Sequence, residues 1–337
     1  MKQRWLWIIA GLALGAGLLW YSLRSVSSAE AFAQIAAADP LYLTLAVMLS
    51  AVFMAIKTLR WTVLLRPIAP LRFGELHAPV YAGAALNAGV SHIGEIVRAR
   101  MLQRGRKLPL ASILASVGLE RVLDMVAMLV LLSYLFVSGG GYLSAMLEAA
   151  ARVAALLAGV AALAVIAVAM WPDRCRAILE RLTARLSERQ RHWIGNQFEA
   201  VAAGFRAVGS ARLLALALLG SLAQWFTIAA SIWCCMRAVG VTLDTAAPVA
   251  VLVLLVIGLT LPTAPGYVGT TQVVFTLALG IFGVAAPSAF AGSVLYTVFV
   301  VGPMVVIGLA CLLRHFVSGS NGLQNGPQRE ADQPGSP

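Results

Sequence analysis

Long apolar stretches separated by short basic segments make up almost the whole chain. Charge-free runs extend from Trp5 to Leu23, Pro40 to Ile56, Met125 to Leu147, Val153 to Pro172 and Leu213 to Met236. A sixth, from Thr245 to Leu313, holds 69 residues. A helix needs about 20 mostly apolar residues to cross a bilayer, so each shorter run predicts one crossing and the last has room for three. The first run has a basic start, like a signal peptide. Its apolar part exceeds the 7–15 residues of a signal h-region, so it reads as an uncleaved helix.

Lys and Arg set the orientation. Lys57 to Arg72 holds four of them, Arg98 to Lys107 five, and Asp173 to Arg212 eight arginines. The intervening outer loops are nearly free of both. The positive-inside rule therefore predicts a cytoplasmic N-terminus and three cytoplasmic basic segments. Phe73 to Val97 lies between two of these segments, yet it is apolar and too short to cross twice. It is expected to dip in and return, with Gly83, Asn87, Gly89 and Gly94 suiting a broken element at membrane depth. In the long C-terminal run, either three helices cross or Ala247 to Phe282 dips from outside and Phe290 to Leu313 crosses once. The prolines and glycines of Pro262-Thr-Ala-Pro265-Gly266-Tyr-Val-Gly269 favour the dip.

The two halves then match with opposite direction, as in transporters whose broken elements mark the binding site. The expected architecture is an all-α polytopic membrane protein. It has about six full transmembrane helices plus two re-entrant helical hairpins in an inverted repeat, eight hydrophobic segments in all. Residues 1–317 form a single integral membrane domain with halves of about 1–142 and 143–317. Within it, Ile178, Leu182 and Leu186, then Ile194, Phe198, Val201, Phe205 and Val208, repeat at helical spacing and predict cytoplasmic amphipathic helices over 173–209. The polar tail 318–337 reads as disordered.

Composition narrows the function. Hydrophobic residues are 60% of the chain and charged residues 12%, half the usual share of a soluble domain, about 25%. Soluble enzymes, nucleic-acid binders and disordered proteins are excluded. The net charge of +11 fits basic loops beside an anionic leaflet. The four cysteines have no metal or redox spacing and read as packing residues.

Ionisable residues inside membrane segments are expensive and face cavities or one another. Glu120, Arg121 and Asp124 fall near mid-bilayer, with Glu120 and Asp124 on one face and Arg121 spaced to pair with Asp124. They predict a polar lining, or else a buried ion pair joining helices. Glu75, His77, His92 and Glu95 flank the first dip without a recognisable metal-ligand spacing. Glu95 with Arg98 suggests a polar mouth, and Asn87 a headgroup contact or a helix cap. Lys57, Arg60 and Trp61 end the second helix as interfacial anchors, with Arg60 alternatively clamping a phosphate. In the second dip, the half-helix N-terminus over Pro262 to Gln272 would aim backbone N–H groups at an anion.

Arg60-Trp61, Asn87, His92-Ile-Gly94-Glu95 with Arg98, Glu120-Arg121 with Asp124, and Pro262 to Gly269 together resemble the flippase-like membrane domain of lysylphosphatidylglycerol synthases. The resemblance spans about Leu41 to Leu313. It implies two re-entrant elements meeting near the midplane and movement of a lipid headgroup between leaflets. Where many members carry a glutamate after the second motif, this chain has Gln272, beside Thr270.

The reading is a lipid-translocating protein of the bacterial inner membrane, with membrane lipids of charged headgroup as partners. A second copy of the chain or a lipid-biosynthesis enzyme would be a further partner. No catalytic residue, metal, cofactor or nucleic-acid partner is expected, and no Gly-x-x-x-x-Gly-Lys loop occurs. The rival readings are a membrane-embedded lipid-modifying transferase using Glu120 and Asp124, and an accessory subunit of a lipid-biosynthesis enzyme.

Overall fold

The computed structural model describes residues 27–89, 93–106, 108–138, 171–184, 186–208, 210–259 and 265–324, with isolated positions near 17–24 and 156–168. No strand occurs among the described residues. The helices are α1 (Ser28–Ala36), α2 (Pro40–Leu65), α3 (Phe73–Gly89), α4 (Ile93–Arg106), α5 (Leu110–Ser138), α6 (Pro172–Thr183), α7 (Glu188–Val208), α8 (Ala211–Ala238), α9 (Ala246–Gly258), α10 (Thr270–Ile281), α11 (Ala286–Tyr296) and α12 (Gly302–Gln324). A 3₁₀ turn, Pro265–Tyr267, precedes α10, and a π turn, Thr297–Val301, joins α11 to α12. Residues 5–16 of the first apolar run, most of 153–170, His92 and Pro262 lie outside the described residues.

Three helices are long and apolar enough to cross a membrane: Pro40–Leu65, Arg212–Ala238 and the joined Ala286–Val317. The chain is an all-α, multi-pass membrane protein. α5 has 29 residues and carries the three mid-helix charges. By contrast, α3 and α4 have 17 and 14 residues, and α9 and α10 have 13 and 12. At 1.5 Å per residue, α9 and α10 each span only about 20 Å, short of a hydrocarbon core of about 30 Å. Each pair folds back on itself as a hairpin. The order long, short, short, long thus runs twice: α2 to α5, then α8 to α12.

Local chemistry places these ends. Pro40 opens α2, and Asp39 accepts a 2.8 Å bond from the Leu41 N–H, satisfying an orphan donor of the first turn. Where an outer loop was expected, α1 forms and packs Ala31 on Phe290 of α11. α12 runs to Gln324, seven residues into the stretch read as disordered. The amphipathic pair of the sequence is α6 and α7. It turns between Thr183 and Glu188, with Arg176 bonded to Glu180 and Glu199.

Two apolar cores hold the halves. One gathers Ile232 and Met236 of α8, Leu252 of α9, Phe275 of α10 and Leu295 of α11. The other gathers Met54, Trp61 and Leu65 of α2, Leu76 of α3, Leu102 of α4 and Ile113 of α5. α2 packs along α8, α3 on α12, and α9 on α5, so each half's first short helix rests on the other half's last long one. α9 is buried almost all round, which fits its uniformly apolar sequence. Close approach depends on glycine. A Cβ on Gly94 would lie 1.8 Å from the Gly83 carbonyl oxygen, and one on Gly308 would lie 2.2 Å from that of Tyr81. Small residues let membrane helices meet backbone to backbone in this way.

Candidate functional site

Glu120 and Asp124 are one turn apart on α5, and both are buried. Glu120 accepts from three cations: Lys57 Nζ at 3.1 Å, Arg60 Nη2 at 2.7 Å and Arg98 Nη2 at 2.7 Å. Asp124 accepts from Arg60 Nη1, and from Gln224 Nε2 at 3.2 Å. Ser221 Oγ also accepts from Arg60 Nη1. Gly220 gives the Arg60 stem its room, since a Cβ there would touch three of its carbons at 3.4 Å. Arg98 lies 4.7 Å over the Trp61 ring, whose indole N–H donates to Ser116 Oγ at 3.1 Å. One network thus joins α2, α4, α5 and α8 in the buried interior. Breaking such a pair is costly because the partner is left charged without water.

The expected interfacial role of Arg60 and Trp61 is corrected by this geometry. Both are buried, because α5 and α8 flank α2 and supply carboxylate, hydroxyl and amide acceptors. Arg121 pairs with Glu95 of α4, and not with Asp124 as its spacing suggested. Glu95 and Arg98 form no joint mouth. They reach α5 separately, at Arg121 and Glu120. For Arg60, Arg98, Glu120 and Asp124, the alternative of an ion-paired joint between helices is the arrangement seen.

Beside this network lies a cavity of about 310 Å³. Both hairpins reach it: Ala84, Asn87 and Glu95 from the first, and Leu252, Leu259, Tyr267 and Thr271 from the second. Among the described residues, Lys57 and Arg121 are its cations, and most of the remaining wall is apolar. The Lys57 side chain keeps 14% of its surface exposed, and that of Arg121 keeps 43%.

The broken segments are fixed by amide side chains. Asn87 Oδ1 accepts from the Gly94 N–H at 2.9 Å, and Gln272 Oε1 accepts from the Gly269 N–H at 2.6 Å. Gln272 Nε2 continues to Thr297 Oγ1 at 3.4 Å. Gln272 therefore ties the start of α10 to the π turn. Gly266 and Gly269 have φ of 73° and 87°, and Tyr267 between them has φ of 62°. A tyrosine in the left-handed region is strained, and such outliers gather at functional sites. Thr270 packs against Gly258, where a Cβ would come within 3.2 Å of its methyl group. The Val300 carbonyl, in the π turn, accepts from Ser50 Oγ at 2.7 Å. π turns are frequent at functional sites.

Of the sequence-selected residues, Asn87, Glu95 and Arg121 line the cavity, and Pro265, Gly266, Gly269, Thr270 and Gln272 shape the turn beside Tyr267. Gly94 closes the first hairpin. Glu75 pairs with Arg106, and His77 stacks between Phe73 and Tyr81. Sequence reasoning missed Ser221, Gln224 and Trp225. The first two are polar residues three apart in a mostly apolar run, a signal that could have marked the inner face of α8. It also missed Tyr267, whose role depends on a backbone conformation that spacing does not reveal. A family model for the lysylphosphatidylglycerol synthase TM region matches residues 8–308. No curated protein matches the chain.

Proposed function

Because the chain belongs to the lysylphosphatidylglycerol synthase TM region family, we propose that it moves an amphipathic lipid between the leaflets of a bacterial cytoplasmic membrane. Family membership supports a membrane protein of lipid metabolism or transport. The observation that carries the transport reading is one cavity, partly polar and mostly apolar-walled, lined by both short-helix hairpins. The hairpins act as re-entrant elements with opposite entry sides, and both chain termini are cytoplasmic. Irregular backbone at membrane depth is tolerated only where it is buried or lines a wet cavity, and this cavity supplies that setting.

Moving a bare charged group to the bilayer centre costs at least about 2.5–3.5 kcal/mol on insertion scales. In the cavity, Asn87, Lys57, Glu95 and Arg121 take the place of water around the headgroup, while the acyl chains remain in hydrocarbon. Apart from Lys57, which belongs to both, the buried network holds the surrounding helices in register and does not itself touch the lipid. A membrane-embedded transferase using Glu120 and Asp124 fits less well, because both carboxylates are covered and engaged by cations. We therefore assign no catalytic residues.

The test is reconstitution into liposomes carrying headgroup-labelled lipids of several classes. Leaflet exchange is expected to exceed the protein-free rate for at least one charged class. Rates equal to empty liposomes for every class would refute transport, and product formation from a lipid plus an activated donor would favour the transferase.

A further inference from the structure

The pair α6 and α7 leaves an apolar row uncovered. Ile178 and Leu182, one turn apart on α6, keep 55% and 75% of their surface exposed. Leu186 in the turn and Trp193 on α7 are exposed too. The row beside Ile178 and Leu182, formed by Cys175, Leu179 and Thr183, is the more buried one. Charge is sorted round the same helix. Arg174 and Arg181 fall within about 60° of Ile178 at 3.6 residues per turn, and both are exposed. Asp173 and Glu180 fall about 140–160° away. Arg176 holds Glu180 there and also reaches Glu199 of α7. Arg174 and Arg181 form no ion pair among the described residues. The uncovered row is thus flanked by unpaired cations, with the acids of α6 on its far side. Over residues 172–208, seven arginines stand against four carboxylates.

Both ends of the pair join apolar segments directly. α6 starts where the charge-free run Val153 to Pro172 stops. The Trp171 N–H donates to the Ala167 carbonyl at 2.7 Å, and the Trp171 carbonyl accepts from the Cys175 N–H at 3.0 Å, so no linker separates the run from the helix. Trp171 itself has φ of −134° and ψ of 58°, a non-helical conformation that turns the chain at this point. At the other end, α7 stops at Val208, and α8, long and apolar enough to cross a membrane, begins at Ala211. A pair tethered so closely at both ends stays within reach of the headgroups.

We propose that α6 and α7 dock on the leaflet at which they emerge, with Ile178 and Leu182 below the headgroups and Arg174 and Arg181 at the phosphates of anionic lipids. The proposal is independent of the lipid-moving reading, since none of these residues lines the cavity. On such a helix, apolar burial and attraction to anionic lipid add, and arginine stems reach from the apolar boundary out to the headgroups. An apolar row by itself suits a soluble protein or a second copy of the chain equally well. The flanking arginines favour the bilayer, because anionic headgroups present continuous negative charge where the helix leaves the membrane. α7 also packs on α5, so the docked pair braces the helix that carries Glu120.

The test uses the full chain in lipid nanodiscs, with a nitroxide attached at Leu182→Cys. Cys175→Ser and Cys311→Ser remove the two half-buried thiols. One set of nanodiscs holds phosphatidylcholine alone, the other an equal mixture with phosphatidylglycerol. Collisions with oxygen report lipid, and collisions with a water-soluble nickel chelate report water. In the mixed bilayer the label is expected to meet oxygen and to be shielded from the chelate. A label at Glu180→Cys, on the far side of α6, should meet the chelate in both bilayers. With Arg174→Gln and Arg181→Gln combined, the ratio of undocked to docked label at position 182 should rise roughly thirtyfold, the effect of two arginines at an anionic surface. Phosphatidylcholine alone should raise the ratio at least as much, and this arm tests the charge without altering any arginine. High salt should act in the same direction.

Chelate contact at position 182 in both bilayers would overturn the proposal, as expected of a row kept for a soluble partner. Spin–spin broadening that vanishes on dilution with unlabelled protein would assign the row to a second copy and overturn it as well. So would docking that is equal in the two bilayers and indifferent to the arginines, because apolar burial alone would then account for the contact.

Discussion

Glu120 is the hub of the buried network, and Glu120→Gln is the most informative single change. The carboxylate holds Lys57, Arg60 and Arg98 at 3.1, 2.7 and 2.7 Å. Its replacement keeps the shape but leaves three cations facing the single charge of Asp124. Removing one partner of a buried pair costs about 3–5 kcal/mol, and here Arg98 loses its only ion-pair partner among the described residues. Asp124→Asn is expected to cost less, about 1–3 kcal/mol, because Arg60 keeps Glu120. Glu95→Gln should cost less than about 1 kcal/mol, because its partner Arg121 is 43% exposed and solvent weakens such pairs. Reversible unfolding by sodium dodecyl sulfate in mixed micelles gives all three values on one scale. Adding Lys57→Met to Glu120→Gln removes one of the stranded charges and should recover part of the loss. A Glu120→Gln protein within about 1 kcal/mol of the unmodified chain, or a Glu95→Gln loss as large, would refute the buried, ion-paired interior.

Other outcomes follow from the same geometry. Gly94→Ala drives a Cβ to 1.8 Å from the Gly83 oxygen and should open the hairpin at a cost of at least about 1–3 kcal/mol. Gly89→Ala meets nothing within 4 Å and should be close to neutral in the same unfolding assay. Gln272→Leu removes the bond to the Gly269 N–H and the link to Thr297. It should destabilise by about 1–3 kcal/mol and raise hydrogen exchange at Gly269, whereas unchanged exchange there would discount the cap. On α6, Ile178 and Leu182 are exposed beside the packed Leu179 and Thr183 row, and Trp193 of α7 is exposed as well. If this pair lies on the leaflet, brominated acyl chains should quench the emission that Trp193→Phe removes, while aqueous iodide should not.

The agreement between sequence and structure is uneven for physical reasons. Helices declare themselves locally, so α2, α5 and α8 follow from apolar run length. The two broken hairpins follow from glycine, proline and basic flanks. On α6 and α7, periodicity located the elements, but it did not say which row of α6 is covered by protein. Cys175, Leu179 and Thr183 turn inward to some degree, while the row Ile178, Leu182 and Leu186 remains exposed. A shift of one residue rotates a helix face by about 100°, and only the neighbour decides which row is covered.

The amino-acid order alone determined a helical membrane protein and the residue types near its centre, because transfer of apolar and charged groups into lipid is a property of each segment by itself. It did not determine partners. Arg121 had Asp124 three residues away and bonds Glu95 across the hairpin gap, while Arg60 crosses to α5 and α8. Ion-pair energies depend on which helices pack together and how dry the junction is. The separation of Lys57, on the cavity, from Arg60 and Arg98, sealed behind it, therefore exists only once α2, α4, α5 and α8 have closed around Glu120.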